Sequence, residues 1–319
     1  MAKILFINPV IRENEKPAHV PFGMAQLVAI CVRAGHQVQV FDANAWRPTD
    51  DEILAVLKAD EWRVVAIGGL VTTYGFVKKV LRYVKKACPQ ALTVAGGGFL
   101  TPIPHEVMAL LPEIDLGVIG EGYVTLPDVL ARVDAAEEDW HEIPGLIYRD
   151  RDGVCQLTAG RPLLEEVDTL PFLTWALFPL DISFRNSGLM LIEAAMLAKR
   201  HLGVIASYGC PYRCKYCFHL GLSGEIEIVE GPAGRRLCLT SKRKVRAHSP
   251  EYVVAMVAEA KKRFGIDFVS FLDENFAVLA KRKKWFDTFR ALWVRAGLRP
   301  RCITERRDHD PETCGGIHW

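Results

Sequence analysis

Residues 1 to about 138 alternate short apolar runs with amphipathic segments. The runs Lys3–Asn8, Gln37–Phe41, Val64–Gly69, Ala91–Ala95 and Leu116–Ile119 predict strands. Between them, Phe22–Ala34, Asp50–Lys58, Tyr74–Ala87, Pro104–Leu111 and Val124–Val133 carry helical periodicity, with Lys78, Lys79, Lys85 and Lys86 on the polar face of the third. Strands alternating with helices of this length predict a mainly parallel sheet covered on both faces, the doubly wound, flavodoxin-like α/β class.

The pattern changes over 139–200. I-P-G-L-I-Y-R-D-R-D-G-V predicts a small hairpin turning at Asp152-Gly153, and Pro162, Pro171 and Pro179 then punctuate a linker. Trp175, Phe178 and Phe184 are read as packing that linker down. From 201 to 319 a second domain is expected. It starts with an apolar strand, Leu202–Ser207, and an inserted hairpin follows, Glu225–Glu230 with Arg235–Thr240. A helix capped by Ser249-Pro250 runs through Phe264, and Asp267–Leu272 is the next strand. Lys281–Ala296 predicts an amphipathic helix with Trp285, Phe286, Phe289, Leu292 and Trp293 inward.

Half of the 319 residues are apolar, enough for the cores of two domains. A net charge of +2 argues for neither a nucleic-acid footprint nor a strongly acidic ligand. The longest apolar stretches, Val64–Thr72 and Gly188–Ala198, are too short to span a bilayer, and the start reads as a strand rather than a signal peptide. A cytoplasmic protein with no membrane partner is expected. In that reducing compartment Cys31, Cys88, Cys155, Cys238, Cys302 and Cys314, scattered singly, read as free thiols.

Two features carry chemistry. The first is a set of glycine-rich loops at the predicted carboxyl ends of the strands: Gly68-Gly69, Gly96-Gly97-Gly98 and Gly120-Glu121-Gly122. Ligands of open α/β sheets bind at that edge, and glycine lets a backbone approach them closely. None of the loops is a G-x-G-x-x-G fingerprint, and no G-x-x-x-x-G-K-[ST] occurs. The second is S-Y-G-C-P-Y-R-C-K-Y-C-F, which places Cys210, Cys214 and Cys217 in a Cys-x3-Cys-x2-Cys run directly after a strand. Three soft ligands on one tight loop suit an iron–sulfur cluster with one open iron, or a structural zinc with His219 as the fourth ligand.

The cysteine run resembles the cluster loop of the radical S-adenosylmethionine (SAM) superfamily. The first half resembles the cobalamin-binding domain that precedes the radical core in one large class, in Pro21-Phe22-Gly23, A-G-H-Q-V at 34–38, Asp42, A-I-G-G-L-V-T-T, A-G-G-G-F and V-I-G-E-G-Y. This resemblance implies a [4Fe–4S] cluster on Cys210, Cys214 and Cys217 that cleaves SAM to a 5′-deoxyadenosyl radical. It implies SAM contacts at Tyr216, Phe218, Asp273 and Glu274, the last two within D-E-N-F after the second core strand. Helix capping is the other reading of Asp273. Leu70, Val71, Thr72 and Thr73, with Gly96, Gly97, Gly98 and Phe99, would flank the cobalamin tail, and Gly120, Glu121, Gly122 and Tyr123 would close the rim. The loop after the first strand reads N-P-V-I-R-E and lacks the D-x-H-x-x-G of cobalamin mutases, so no protein histidine is expected on cobalt.

The function implied is methylation, or a ring-forming or ring-modifying step, on a small biosynthetic substrate, with an electron donor such as flavodoxin or ferredoxin. The run Lys242-Arg243-Lys244-Val245-Arg246 reads as a solvated face or as an anion contact. A radical SAM barrel has about six βα units, and the residues after Leu202 are too few for it, so the barrel is expected to be partial and truncated. Two other readings stay open: a non-catalytic cobalamin-binding remnant and a zinc-stabilised α/β protein.

Overall fold

Ile4, Leu5, Phe6 and Ile7 are buried in succession, which requires a strand covered on both faces. This strand, β1 (Lys3–Asn8), lies second in a seven-stranded sheet of order β2-β1-β3-β4-β5-β6-β7. The computed structural model that shows it describes residues 1–15, 17, 19–186, 198–212, 214, 226–232, 234–239, 244–298 and 301–304. These form two compact units, one built from Met1–Glu15, Gly23–Leu164 and a later hairpin, the other from the remainder.

In the first unit β1, β2 (Gln37–Asp42), β3 (Val64–Gly68), β4 (Leu92–Gly96) and β5 (Leu116–Val118) are mutually parallel. The connecting helices are α1 (Phe22–Arg33), the short α2 (Ala43–Trp46), α3 (Asp50–Lys58), α4 (Tyr74–Ala87), α5 (Pro104–Leu110) and α6 (Gly122–Ala135). A capping box starts α3: Glu52 N–H donates to the Thr49 hydroxyl while the Glu52 carboxylate accepts from Thr49 N–H at 2.7 Å. Leu5, Ile7, Val65, Ile67 and Ala95 form one core with Ile53 and Leu57 of α3, four valine and leucine side chains of α4, and Val107 and Met108 of α5. Alternation sends Ile4, Phe6, Val64 and Ala66 to the opposite face, where they are buried together with the apolar sides of α1 and α6.

The hairpin of β6 (Leu146–Arg149) and β7 (Cys155–Leu157) turns at Asp152-Gly153, with Gly153 at φ +78°, as the sequence predicts. Its place differs from expectation. β6 pairs antiparallel with β5, so the hairpin completes the first sheet and the first unit runs to Leu164 instead of ending near 138.

The later strands are β8 (His201–Val204), β9 (Ser207–Tyr208), β10 (Ile226–Gly231), β11 (Gly234–Leu239), β12 (Arg246–Ala247), β13 (Phe268–Phe271) and β14 (Arg301–Thr304). The β10–β11 hairpin belongs to the first unit: Ile228 and Leu237 pack on its core, and Arg235 Nη1 donates to Leu157 O at 3.3 Å. In the second unit β8, β13 and β14 form a parallel sheet of order β14-β13-β8.

Helices α7 (Leu180–Arg185), α8 (Pro250–Phe264), α9 (Ala277–Ala280) and α10 (Lys283–Arg295) complete the second unit. Ser249 caps α8 by accepting from Tyr252 N–H at 3.1 Å. Of the α10 side chains expected inward, Phe289 and Trp293 are buried, while Trp285, Phe286 and Leu292 are half-buried. Trp175, Phe178 and Phe184 pack inward as predicted. No helix among the described residues is long and apolar enough to cross a membrane.

His201, 2% exposed at the start of β8, bonds Ser270 Oγ on β13 through Nε2 at 2.8 Å. Burial, reinforced by nearby His19, depresses its pKa to about 4. The unfolded chain takes up this proton near pH 6.5 and the folded chain does not, so stability is lost as pH falls, by about 3 kcal/mol at pH 4. Urea titrations of the wild type and His201→Gln between neutral pH and pH 4 should show a shallower loss in the variant. Equal slopes would remove His201 as the cause.

Candidate functional site

In the first unit all five parallel strands end on the same edge, and the order in which strands are added reverses between β1 and β3, the place where open α/β sheets bind ligands. The loops there are laced together. Phe99 N–H donates to Gly69 O at 3.2 Å, joining the loops after β4 and β3. Gly120 N–H donates to Thr101 Oγ1 at 3.1 Å, joining those after β5 and β4. Gly97 adopts φ +90°, and a Cβ on it would lie 3.1 Å from Gly69 O. The glycines therefore let the loops approach one another. Gly120, at φ +74°, faces open space and leaves its backbone accessible to a ligand.

Leu70 and Val71 are 54% and 57% exposed on this edge, and Thr72 beside them is exposed. Thr73 departs from the expected role: it is buried, and its hydroxyl donates to Leu70 O at 2.8 Å, so it shapes the turn. Phe99 also turns inward, its ring part of the core, leaving only its backbone in the loop. Gly98, Gly120, Glu121, Gly122 and Tyr123 are half-buried along the rim, and Gly96 ends β4.

The sequence reading missed the apolar side chains Ile11 and Ile103, exposed on the loops after β1 and β4, and Trp46, exposed at the end of α2 after β2. Single exposed apolar residues are unremarkable, but several on one sheet edge mark a surface built for an apolar body. Asn8 and Asp42 brace the first two loops. Asn8 Nδ2 donates to Asp42 Oδ1 at 2.7 Å, Ala45 N–H donates to the same oxygen at 3.0 Å, and Ile11 N–H donates to Asn44 Oδ1 at 3.0 Å. Burial pushes the Asp42 carboxyl pKa up, and its bonds from Asn8 and Ala45 oppose the rise.

In the second unit the chain leaves β8 and runs through β9 into Cys210 and Cys214. Cys210 is half-buried and Cys214 exposed. Cys217, Tyr216 and Phe218, and the zinc candidate His219, lie outside the described residues. Tyr212, between the two described cysteines, accepts from Lys281 Nζ at 2.9 Å.

The strand approaching the loop is fixed on one side by antiparallel pairing of β9 with β12. Arg246 is buried with its guanidinium 5.5 Å from the Tyr208 ring centroid, so this member of the basic run belongs to the interior. Next to it His248 is buried, stacked on Tyr252 at 4.0 Å, with Nδ1 2.9 Å from Asp168 Oδ1. Burial lowers the His248 pKa and Asp168 opposes that. Asp273 is half-buried and turned toward this approach strand, and Glu274 is half-buried beside it.

The B12 binding domain family matches residues 9–130, which contain the whole glycine-loop edge. The chain is 27% identical over 285 residues to an uncharacterized methyltransferase of Pyrococcus horikoshii, covering 88% of this chain and 55% of that protein. It is 25% identical to an anaerobic magnesium-protoporphyrin IX monomethyl ester cyclase of Synechocystis, over 69% of this chain and 42% of that one. The fold is similar to that of the cobalamin-dependent SAM radical enzyme OxsB, solved with aqua-cobalamin and SAM bound, with TM-score 0.71 and 15% identity over 95% of this chain and 38% of that one. The chain is thus similar in sequence to a methyltransferase and a cyclase and in fold to a cobalamin-dependent SAM radical enzyme, and it spans about half the length of the curated relatives it matches.

Residues of the B12-binding domain fit a corrin on the observations above: an accessible glycine backbone at Gly120 and an exposed apolar rim. A side chain at Gly97 would meet Gly69 O in a backbone conformation unfavourable by about 1–2 kcal/mol, so Gly97→Val should weaken hydroxocobalamin binding about tenfold in a spectral titration. Gly120→Ala meets no atom within 4 Å, so it carries only the conformational cost of its φ of +74°, about 1 kcal/mol, and should leave the fold intact. Unchanged binding in Gly97→Val would place the ligand off this edge.

Proposed function

We propose that the chain holds cobalamin on its B12-binding domain and a [4Fe–4S] cluster with SAM on its second unit, and acts on a small biosynthetic molecule. The observation that carries this reading is the succession itself: a B12-binding domain, then a Cys-x3-Cys-x2-Cys loop immediately past the first strand of a second parallel sheet. Active-site residues of α/β barrels sit at that end of the strands. The donor set fits the cluster, because cysteine thiolates are its ligands and Cys210, Cys214 and Cys217 follow one another in one short run.

When bound, these groups supply one-electron cleavage of SAM and a methyl carrier, and the protein contributes binding and orientation. Here Cys210, Cys214 and Cys217 would ligate iron, and the exposed Leu70, Val71 and Thr72 would border the cobalamin. Tyr216, Phe218 and Glu274 remain the residues proposed to face SAM. The reaction class is methyl transfer or ring formation, supported by relatives that carry those two names. An acidic one-electron donor of the flavodoxin or ferredoxin kind would reduce the cluster.

Anaerobic reconstitution with iron, sulfide and hydroxocobalamin tests the reading through metal analysis and absorbance. About four irons and one cobalt per chain are expected. Cys214→Ala should lose the iron and keep the cobalt. Cobalt without iron would favour a cobalamin-binding remnant, and zinc without iron a structural zinc site.

A further inference from the structure

The β8–β13 ladder ends in a way that isolates one carboxylate. The strands pair from Phe268↔His201 to Phe271↔Val204, and Leu272 N–H adds a last bond to Val204 O at 2.7 Å. There the chain from β8 leaves its neighbour, and β9 pairs with β12 instead. Asp273 spans the point of departure. Its Oδ2 accepts from Ala206 N–H at 3.0 Å, and its Oδ1 accepts from the Ser207 hydroxyl at 2.5 Å.

Ala206 and Ser207 are 0% and 2% exposed, so water cannot replace the carboxylate at either donor. A buried donor left without an acceptor bears its full desolvation cost. From the other side Ala206 O accepts from His248 N–H at 2.9 Å. Both backbone polar groups of Ala206 are thereby fixed, four residues before Cys210.

We propose that Asp273 is a positioning residue: it sets the direction in which the chain enters the cysteine loop, and so whether the cysteines converge, and it does not bind SAM. The inference rests on the reading of that loop as a cluster site. It replaces the expected SAM contact, because both carboxylate oxygens are engaged by the approach strand. It replaces helix capping too, since the next helix, α9, has Phe276 at its cap position and no side-chain cap. The negative charge is secondary on this account. What matters is a two-pronged group able to accept from Ala206 N–H and bond Ser207 Oγ.

Asp273→Asn keeps that shape, because its oxygen accepts from Ala206 and its amide donates to the Ser207 hydroxyl. Asp273→Ala keeps neither bond. After anaerobic reconstitution of the full chain, iron and sulfide content and the rate of iron loss to a chelator are measured alongside hydroxocobalamin binding. Asp273→Ala should lose iron about tenfold faster than wild type, as expected for leaving buried donors without an acceptor, with cobalamin binding unchanged. Asp273→Asn should restore most of the lifetime.

Wild-type iron retention in Asp273→Ala would overturn the proposal. So would failure of Asp273→Asn together with Asp273→Ala, which would assign the role to charge. Normal iron retention in both variants with weakened SAM binding would return Asp273 to the SAM site. If the wild type takes up no iron, the cluster reading itself fails, and this proposal with it, before any variant is compared.

Discussion

Parallel strands deliver all their carboxyl ends to one edge of a sheet, and the rest of this structure depends on that constraint. Each crossover returns the chain to the opposite edge, so every second loop must share a narrow strip. In the first unit the strip is filled by backbone. Gly69 meets the loop at Gly97 and Phe99, and Thr101 takes the amide of Gly120. The β3, β4 and β5 loops thus behave as one body, a prerequisite for holding a large rigid ligand without losing binding energy to loop ordering. The second unit applies the same constraint to fewer strands, and uses side chains where the first uses glycine.

The difference has a chemical reason. A cofactor held over a wide apolar face needs a shaped surface, which backbone and exposed apolar groups such as Leu70 and Val71 provide. A cluster held by thiolates needs a few atoms placed at bonding distance, so the chain leading to them must be fixed residue by residue. The second unit concentrates wholly or partly buried polar groups on that approach: Asp273 on Ala206 and Ser207, Arg246 against Tyr208, and His248 between Tyr252 and Asp168. Each is bonded or stacked, as buried polar groups must be to avoid a desolvation penalty.

Local physics was legible in the sequence, and partnership was not. β1, α3 and α4 have the predicted bounds because apolar alternation, the Thr49–Glu52 box and the lysine-rich face of α4 are local signals. The β6–β7 turn was legible in Asp152-Gly153, but its attachment to β5 depends on a strand about thirty positions earlier, so the hairpin read as linker. The glycines were legible as close-approach positions, though what they approach is first of all each other. Thr73 and Phe99 sit in the right loop but face inward, since a run of loop residues carries no period to tell its inward positions from its outward ones. Asp273 was visible only as a carboxylate after a strand; its donors lie 67 and 66 positions upstream.

The order in which the chain visits the two units has its own consequence. The β10–β11 hairpin comes after Cys210 and Cys214 in sequence, yet its Ile228 and Leu237 pack on the core of the first unit. The units are interleaved along the chain, not strung end to end. A single cut near residue 200 would not release the first unit whole, because it would strip apolar cover from the β7 side of the sheet. Any exchange that grafts a different B12-binding domain onto this cysteine loop must therefore carry the hairpin's complement with it. The two halves are constrained to diverge together.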